Sequence, residues 1–516
     1  MKNFILTAIL FCTTLSMAQT WSDDVAQITY DRCSQCHHSG GIAPFELMNY
    51  SQVVASATAI QEAIMHHEMP PNPPDENYES FVHSKALTAT EEATYLAWIT
   101  ANTPEGNSAN TPPPPVFQEG AVLGDGDLQV RMPVYTSKAT STEDDYACFS
   151  VPSGLLQDRI IKSVEIIPGN SGIVHHALIY IDPVKAEVTD SIGGDCSSPS
   201  NTTTKLISAY IPGGEPLVLP SSDPLKLGFS IPAESNIYFA MHYPDGSAGQ
   251  QDSTMVIFHF YPEGETGVRE VSAEPILQNW NFQLPPNEIT AVNAQQTIPA
   301  DYSVLSVLPH MHLLGKSIKS YSVSTTQDTT RFISIPHWDF HWQGFYFFKN
   351  LKHVTPGSTM YADGEFDNTH DNHDNPSDPP VLVFPGLNTK DEMFLVYFHY
   401  FAYETGDENY DLETLMNTAS LKELNKQNSD VWTISPNPFN NSTSLTLKNS
   451  QKNDQVQVTV YNSMGRLVKK LKPLESQHQT FIWDGNLEDG SPVAKGMYYF
   501  SIGINGQFSH QAIIKQ

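Results

Sequence analysis

The sequence predicts a mainly β chain. Two antiparallel β-sandwiches fill the middle, a small all-α segment precedes them, and a small Ig-like β-sandwich follows. Three observations carry this. From about Gly120 to Leu415, short alternating runs are split by Gly, Pro and Asn/Asp clusters, without long helical periodicity, which is how antiparallel sandwiches are written. From about Trp21 to Gly106 the apolar residues recur at helical spacing instead. Between them, Thr103 to Val116 holds Thr-Pro-Glu-Gly-Asn and then four consecutive prolines, a semi-rigid spacer and a boundary.

The chain has 516 residues, too many for one core, so three or four domains are expected. Lys+Arg is 27 against Asp+Glu 57, a formal charge of −30. That excludes nucleic acid and anionic membrane surfaces as natural partners and fits solubility outside a cell.

Residues 1–18 read as a secretory signal peptide. Lys2 gives the positive start, Phe4 to Cys12 the apolar run, and Ser16-Met17-Ala18 the small-residue cleavage site. No later apolar run is long enough to span a bilayer. Five cysteines are present, and Cys12 leaves with the signal. Cys148 and Cys196 make an even pair in an exported chain, so a disulfide between them is expected.

Residues 21–106 form the helical segment. Cys33-Ser-Gln-Cys36-His37 is the attachment signal for covalently bound haem c: two thioethers anchor the porphyrin and His37 is an axial ligand. Half of a zinc site is the competing reading, with His66, His67 and His83 as completing ligands; no second Cys-x-x-Cys exists. Met69, before Pro70-Pro71, is the expected sixth iron ligand, because a thioether raises the potential. His66 or His67 would give bis-histidine ligation. Thr88 and Glu91 write a capping box ahead of Tyr95, Leu96 and Ile99 at helical spacing. From the haem motif through Met69-Pro70-Pro71 to Ala97-Trp98-Ile99, the segment resembles small bacterial class-I-type cytochrome c domains.

Residues 107–119 link this segment to the sandwiches, which divide into halves at 120–272 and 273–415. Two histidine sets stand out. His175 and His176 are adjacent, and strand neighbours face opposite ways, so they can share a metal only at a strand end or bulge. His242 lies in the apolar run Ile237 to Met241, where a charged imidazole is costly and a neutral, metal-bound one is not. His310 and His312 are one residue apart, so an extended backbone points both to one face. Met393 adds a soft thioether, and two nitrogens with one weak sulfur leave an open position on copper.

The clearest strand is read at His337–Gln343, with Trp338, Phe340 and Trp342 facing a core. His337 and His341 are then solvated rather than ligands. His370 and His373, in the polar stretch from Asp367 to Pro380, are also read as solvated, with a further cation among Asp371, Asp374 and Asp378 as a weaker reading.

Residues 120–415 resemble the copper type II, ascorbate-dependent monooxygenases, the family of dopamine β-monooxygenase and the peptidylglycine α-hydroxylating enzyme. The matching text is His175-His176-Ala-Leu-Ile-Tyr, Met241-His242-Tyr-Pro, His310-Met-His312-Leu-Leu-Gly-Lys, Asp367-Asn-Thr, and Gly386 through Met393 to Tyr397, His399 and Tyr400. The resemblance implies two jelly-roll-like halves with two copper ions. The His175-His176-His242 copper would transfer electrons; the His310-His312-Met393 copper would bind O2 and insert one oxygen into a small-molecule C–H bond, with Tyr397 beside it. Electrons would come from ascorbate, a redox protein or the fused haem. An electron-transfer or copper-binding module without oxygenase activity is the alternative. One departure matters: the peptide enzyme grips a carboxylate with an arginine two residues before its His-x-His pair, and here that residue is Leu308.

Residues 430–516 read as a separate small β-sandwich. Ile434-Ser-Pro-Asn-Pro-Phe439, Val460-Tyr-Asn-Ser-Met-Gly465 and Gly496-Met-Tyr-Tyr-Phe500 resemble the C-terminal sorting domain of Bacteroidota type IX secretion. That implies export by this machinery and a secreted or surface-anchored protein.

Overall fold

A computed structural model describes residues 19–71, 73–115, 117, 120–141, 143–190, 201, 203–386, 389–417, 432–447, 456–462, 467–474, 477–487, 490–504 and 507–515. The signal peptide, Cys12 and Cys196 lie outside these residues. Cys148 is disulfide-bonded. Among the described residues no helix is long and apolar enough to cross a membrane.

The N-terminal segment is helical at Trp21–Arg32, Tyr50–Met65 with a break at Ser56, and Ala89–Thr100. The last helix starts because Thr88 accepts from the Glu91 N–H while the Glu91 carboxylate accepts from the Thr88 N–H, which satisfies two N-terminal donors at once. Tyr95 and Trp98 are buried against Trp21, with Leu96 and Ile99 only partly buried. Arg32 ties the first helix to the last through Glu91 at 3.0 Å.

The first sandwich has two sheets. One runs Asp145–Pro152, Asn236–Tyr243, His176–Asp182, Lys205–Tyr210, all antiparallel. Alternation sorts its two faces. Ala177, Ile179, Phe239 and Phe149 enter the sandwich core; His176, Leu178 and Tyr180, with Tyr238 and Ala240, lie on the other face. The second sandwich pairs the sheet Ser272–Gln278, Leu395–Ala402, Tyr302–His310, Tyr346–Val354 with the sheet Ile289–Thr297, Thr359–Asp367, Gly315–Val323, Thr329–Ile335. Residues from both halves meet in one apolar cluster: Cys148, Tyr180, Leu206 and Tyr238 pack with Leu308, Phe345 and Tyr397. That contact sets one half against the other. The C-terminal unit is two four-stranded sheets around Trp432, Leu445, Val460, Trp483 and Phe500.

The helical segment is bolted onto both halves, and on the first half the Ser171 hydroxyl donates to Gly40 O at 2.9 Å. Phe81 is buried between Tyr346 and Phe348, the Val82 N–H donates to Phe347 O at 2.8 Å, and Lys352 pairs with Glu79 at 2.7 Å.

One expectation is corrected. His337–Gln343 is a loop, not a strand. Asp339 Oδ1 accepts from the His341 N–H at 2.9 Å, and Gln343 Nε2 donates to Phe340 O at 2.7 Å. These local bonds offer the backbone an alternative to a ladder, and Trp338 and Phe340 are buried from a turn instead.

His399 lies where the two halves meet. It is fully buried, stacked on Phe345 at 4.0 Å, edge-on to Phe229 at 5.1 Å, and 2.9 Å from Ser306 Oγ. Burial pushes it from 6.5 down to about 3. The fold therefore holds it neutral while the unfolded chain protonates it. Its stability contribution is complete above the unfolded value and is lost as pH falls toward the folded one, reaching about 2 kcal/mol lost by pH 5. His399→Phe should flatten that part of the stability–pH profile in urea titrations; an unchanged slope would reject the assignment.

Candidate metal centres

His176 opens its strand, and His175 sits just before it, where the period-two rule no longer separates neighbours. The His175 N–H donates to His242 O at 3.0 Å, and His176 is the cross-strand partner of His242. The three imidazoles converge, with one nitrogen from each lying within 4.8 Å of the others. All three are buried. Desolvation and the neighbouring imidazoles hold them neutral: His175 is pushed down to about 4, His176 and His242 well below the ordinary value.

Tautomers follow from the partners. His242 Nε2 lies 2.7 Å from Asp144 Oδ2, so it carries the proton and leaves Nδ1 with a lone pair. That Nδ1 faces His176 Nδ1 at 3.1 Å. His175 Nδ1 is buried without a hydrogen-bond partner. Converging neutral nitrogens, one of them orphaned, fit a cation better than they fit one another.

Asp144 is the orienting group that sequence reading missed. Its other oxygen accepts from the Asp245 N–H at 2.9 Å. Asp144→Ala should weaken copper at this set by about 10- to 100-fold with little loss of stability, because the carboxylate is partly exposed. Competition titration against a copper chelator checks this; an unchanged affinity would remove Asp144 from the site.

The second set sits at the end of strand Tyr302–His310. His310 and His312 lie 5.2 Å apart, nearly perpendicular. His312 Nδ1 is 3.0 Å from Asp391 O, which can only accept. His310 Nδ1 bonds Gln343 Oε1, an oxygen identified because Gln343 Nε2 donates to Phe340 O. His310, held neutral, therefore keeps its lone pair on Nε2. His310 Nε2 is buried and unpartnered. Burial pushes His310 down to about 4.

The backbone of Met393 is tied to that of His312 through Glu392, and Met393 is not among the residues lining the cleft. One Glu392 oxygen accepts from the N–H groups of His312 at 2.9 Å and Met393 at 3.2 Å; the other accepts from Leu314 at 2.6 Å. A single buried carboxylate thus stitches the His-x-His turn to the methionine segment. Burial drives its pKa up to about 8 against those three bonds.

The misread loop joins the sets. Phe340 lies 5.4 Å from His312 and 6.4 Å from His242. His341 lies 5.6 Å from His175 and 6.3 Å from His242 and is partly exposed. It bonds Asp339 at 2.9 Å; burial lowers its pKa, but that bond and the nearby carboxylates outweigh burial and raise it. His337 is exposed and stacks on His67 at 4.8 Å. His176, His310 and His312 line one cleft of about 520 Å³, counting the space open to solvent.

Tyr397 is the cross-strand partner of Leu308 and packs in the inter-half apolar cluster rather than on this cleft. Cys33 and Cys36 are free, and burial holds both thiols protonated, at about 12 and about 11. His37 Nδ1 is 3.0 Å from Phe45 O, which leaves Nε2 as a lone pair. Met69 is 42% exposed, and His66 and His67 are exposed. His370 pairs with Asp378 at 3.3 Å and is exposed, as expected for a surface loop.

Residues 287–428 match the copper type II ascorbate-dependent monooxygenase C-terminal domain, and residues 433–506 match the FlgD Ig-like domain. The chain is 25% identical over 281 residues to DBH-like monooxygenase protein 1 of Mus musculus, covering 49% of this chain and 43% of that protein. It is 22% identical over 283 residues to dopamine beta-hydroxylase of Rattus norvegicus, covering 51% and 44%. The chain thus spans under half the length of these curated relatives. PorZ, a surface component of the type IX secretion system of Porphyromonas gingivalis, aligns at TM-score 0.14 and 16% identity over 24% of this chain and 15% of its own, too low to carry an argument. The sequence likenesses support a copper monooxygenase.

Proposed function

We propose that this chain hydroxylates a C–H bond of a small organic substrate with O2, using two copper ions and a fused haem. The observation that carries the reading is that each histidine set holds a buried ring nitrogen without a hydrogen-bond partner, His175 Nδ1 in one and His310 Nε2 in the other, while His176, His310 and His312 line one cleft. His175, His176 and His242 would hold one copper; His310, His312 and Met393 the other. Copper supplies one-electron redox chemistry and O2 activation when bound. The protein's own part is orientation. Asp144 fixes the His242 tautomer, Gln343 and the Asp391 carbonyl fix His310 and His312, and Glu392 aligns His312 with Met393.

The haem would be held by Cys33, Cys36 and His37, with Met69 as sixth ligand. The free thiols and the His37 tautomer fit that group. Electrons would enter from ascorbate or a redox protein. Contact geometry supports a haem role: Cys36 Sγ lies 3.4 Å from Pro212 O, and Tyr210, two residues earlier, pairs with Ala177 beside His176. Gly213 has φ +71°, and a Cβ there would lie 2.8 Å from Cys36 Sγ, so glycine permits the approach. The signal peptide and the C-terminal unit would direct export through the type IX machinery.

The same contact favours a second reading, an electron-transfer or copper-binding module without oxygenase activity. Substrate-dependent O2 uptake coupled to product separates the two. Metal analysis should find two coppers and one iron per chain, and Cys33→Ala/Cys36→Ala should lose the iron, keep the copper and slow copper reduction by ascorbate. An unchanged reduction rate would remove the haem from the pathway.

A further inference from the structure

We infer that the cleft between the two imidazole sets takes an uncharged, largely apolar small molecule with an aromatic or aliphatic body and a neutral polar end. The inference rests on the monooxygenase reading for its chemistry, but not for its binding.

The walls set the class. Leu178 and Ala240, cross-strand partners, form one side, and Phe340 lies between the sets. The other lining groups used here are neutral polar ones: Tyr146, Gln343 and Thr389. Among the described residues the lining has no Asp, Glu, Lys or Arg. Charged side chains of the surrounding segments are engaged elsewhere, Glu392 by the His312, Leu314 and Met393 N–H groups. Asp144 holds His242 and the Asp245 N–H, Asp339 holds His341, and Lys390 pairs with Glu143 at 3.6 Å.

A carboxylate or ammonium entering this cleft would give up its hydration without an ion partner, at a cost of several kcal/mol. An alcohol or ether would not. Beyond Leu178 and Ala240 the same sheet face continues into Tyr180 and Tyr238, where Leu308 and Tyr397 close it. Leu308 is 2% exposed and brings no charge to this face.

Isothermal titration calorimetry of the full-length protein with phenethyl alcohol, phenethylamine and phenylacetate tests this, with and without copper. The alcohol should bind the copper-free protein at least ~10-fold more tightly than either charged analogue. Leu178→Arg should reverse the order in favour of phenylacetate, and Ala240→Phe, on the same rung, should abolish alcohol binding and stands in if the first variant fails to fold. Equal or tighter binding of a charged analogue to the copper-free protein, or no binding of the alcohol, overturns the inference. An anion that gains affinity only on copper loading is held by the metal, and the wall assignment stands. If the alcohol binds but the loaded protein consumes no O2 with it, the monooxygenase reading fails and the cleft assignment survives.

Discussion

Glu392→Ala will destabilise the second sandwich by about 3–5 kcal/mol and empty the His310-His312-Met393 site. Glu392 is 1% exposed and accepts three backbone N–H bonds. Alanine leaves those donors buried and unpaired, at about 1–3 kcal/mol each before relaxation. Partial relaxation brings the sum to the stated range, equivalent to a fall of about 10 °C in Tm for a domain of this size. The functional effect shares the cause. Without the carboxylate, the His312 turn and the Met393 segment lose their common anchor. Glu392→Gln should be intermediate, because an amide can accept on one side only. Differential scanning calorimetry with copper analysis checks both; a wild-type Tm in the alanine variant would reject the clamp.

His310→Ala will lower the copper content from two ions to one and abolish hydroxylation while leaving the fold intact. Removal leaves one imidazole and one thioether, too few ligands to hold copper tightly. The structural cost is small, about 1 kcal/mol, since His310 ends its strand and loses only its bond to Gln343. The three-histidine set should still bind copper and show its EPR signal. A variant that retains two coppers would mean that His310 is structural.

Much of the site was legible locally. His310 and His312 are one residue apart and their rings lie 5.2 Å apart, although the strand ends at His310, and His175 and His176 can converge because they stand at a strand start. Cys33, Cys36 and His37 need only a turn of helix. The loop at His337–Gln343 misled because Trp338, Phe340 and Trp342 alternate like a strand, while the Asp339 turn that bends it carries a weaker signal. Glu392 had a detectable sign, a carboxylate ahead of the apolar run Met393 to Val396. Nothing near Asp144 or Gln343 in sequence marks them.

The sequence by itself determined the mainly β character of the chain and the local pairs His175-His176 and His310-x-His312, because these depend on residue type and on spacings of one or two positions. Only the tertiary structure decided that His176 lines the same cleft as His310 and His312, that Phe340 and His341 lie between and beside the two sets, that Cys36 rests on Pro212, and that Asp144, Gln343 and Glu392 orient the histidines. Those contacts join residues 98, 33 and 80 positions apart in the cases of Asp144–His242, Gln343–His310 and Glu392–His312. Such pairings are set by how whole sheets pack, through side-chain volume and buried hydrogen bonds distributed over the chain, and no local window contains that information.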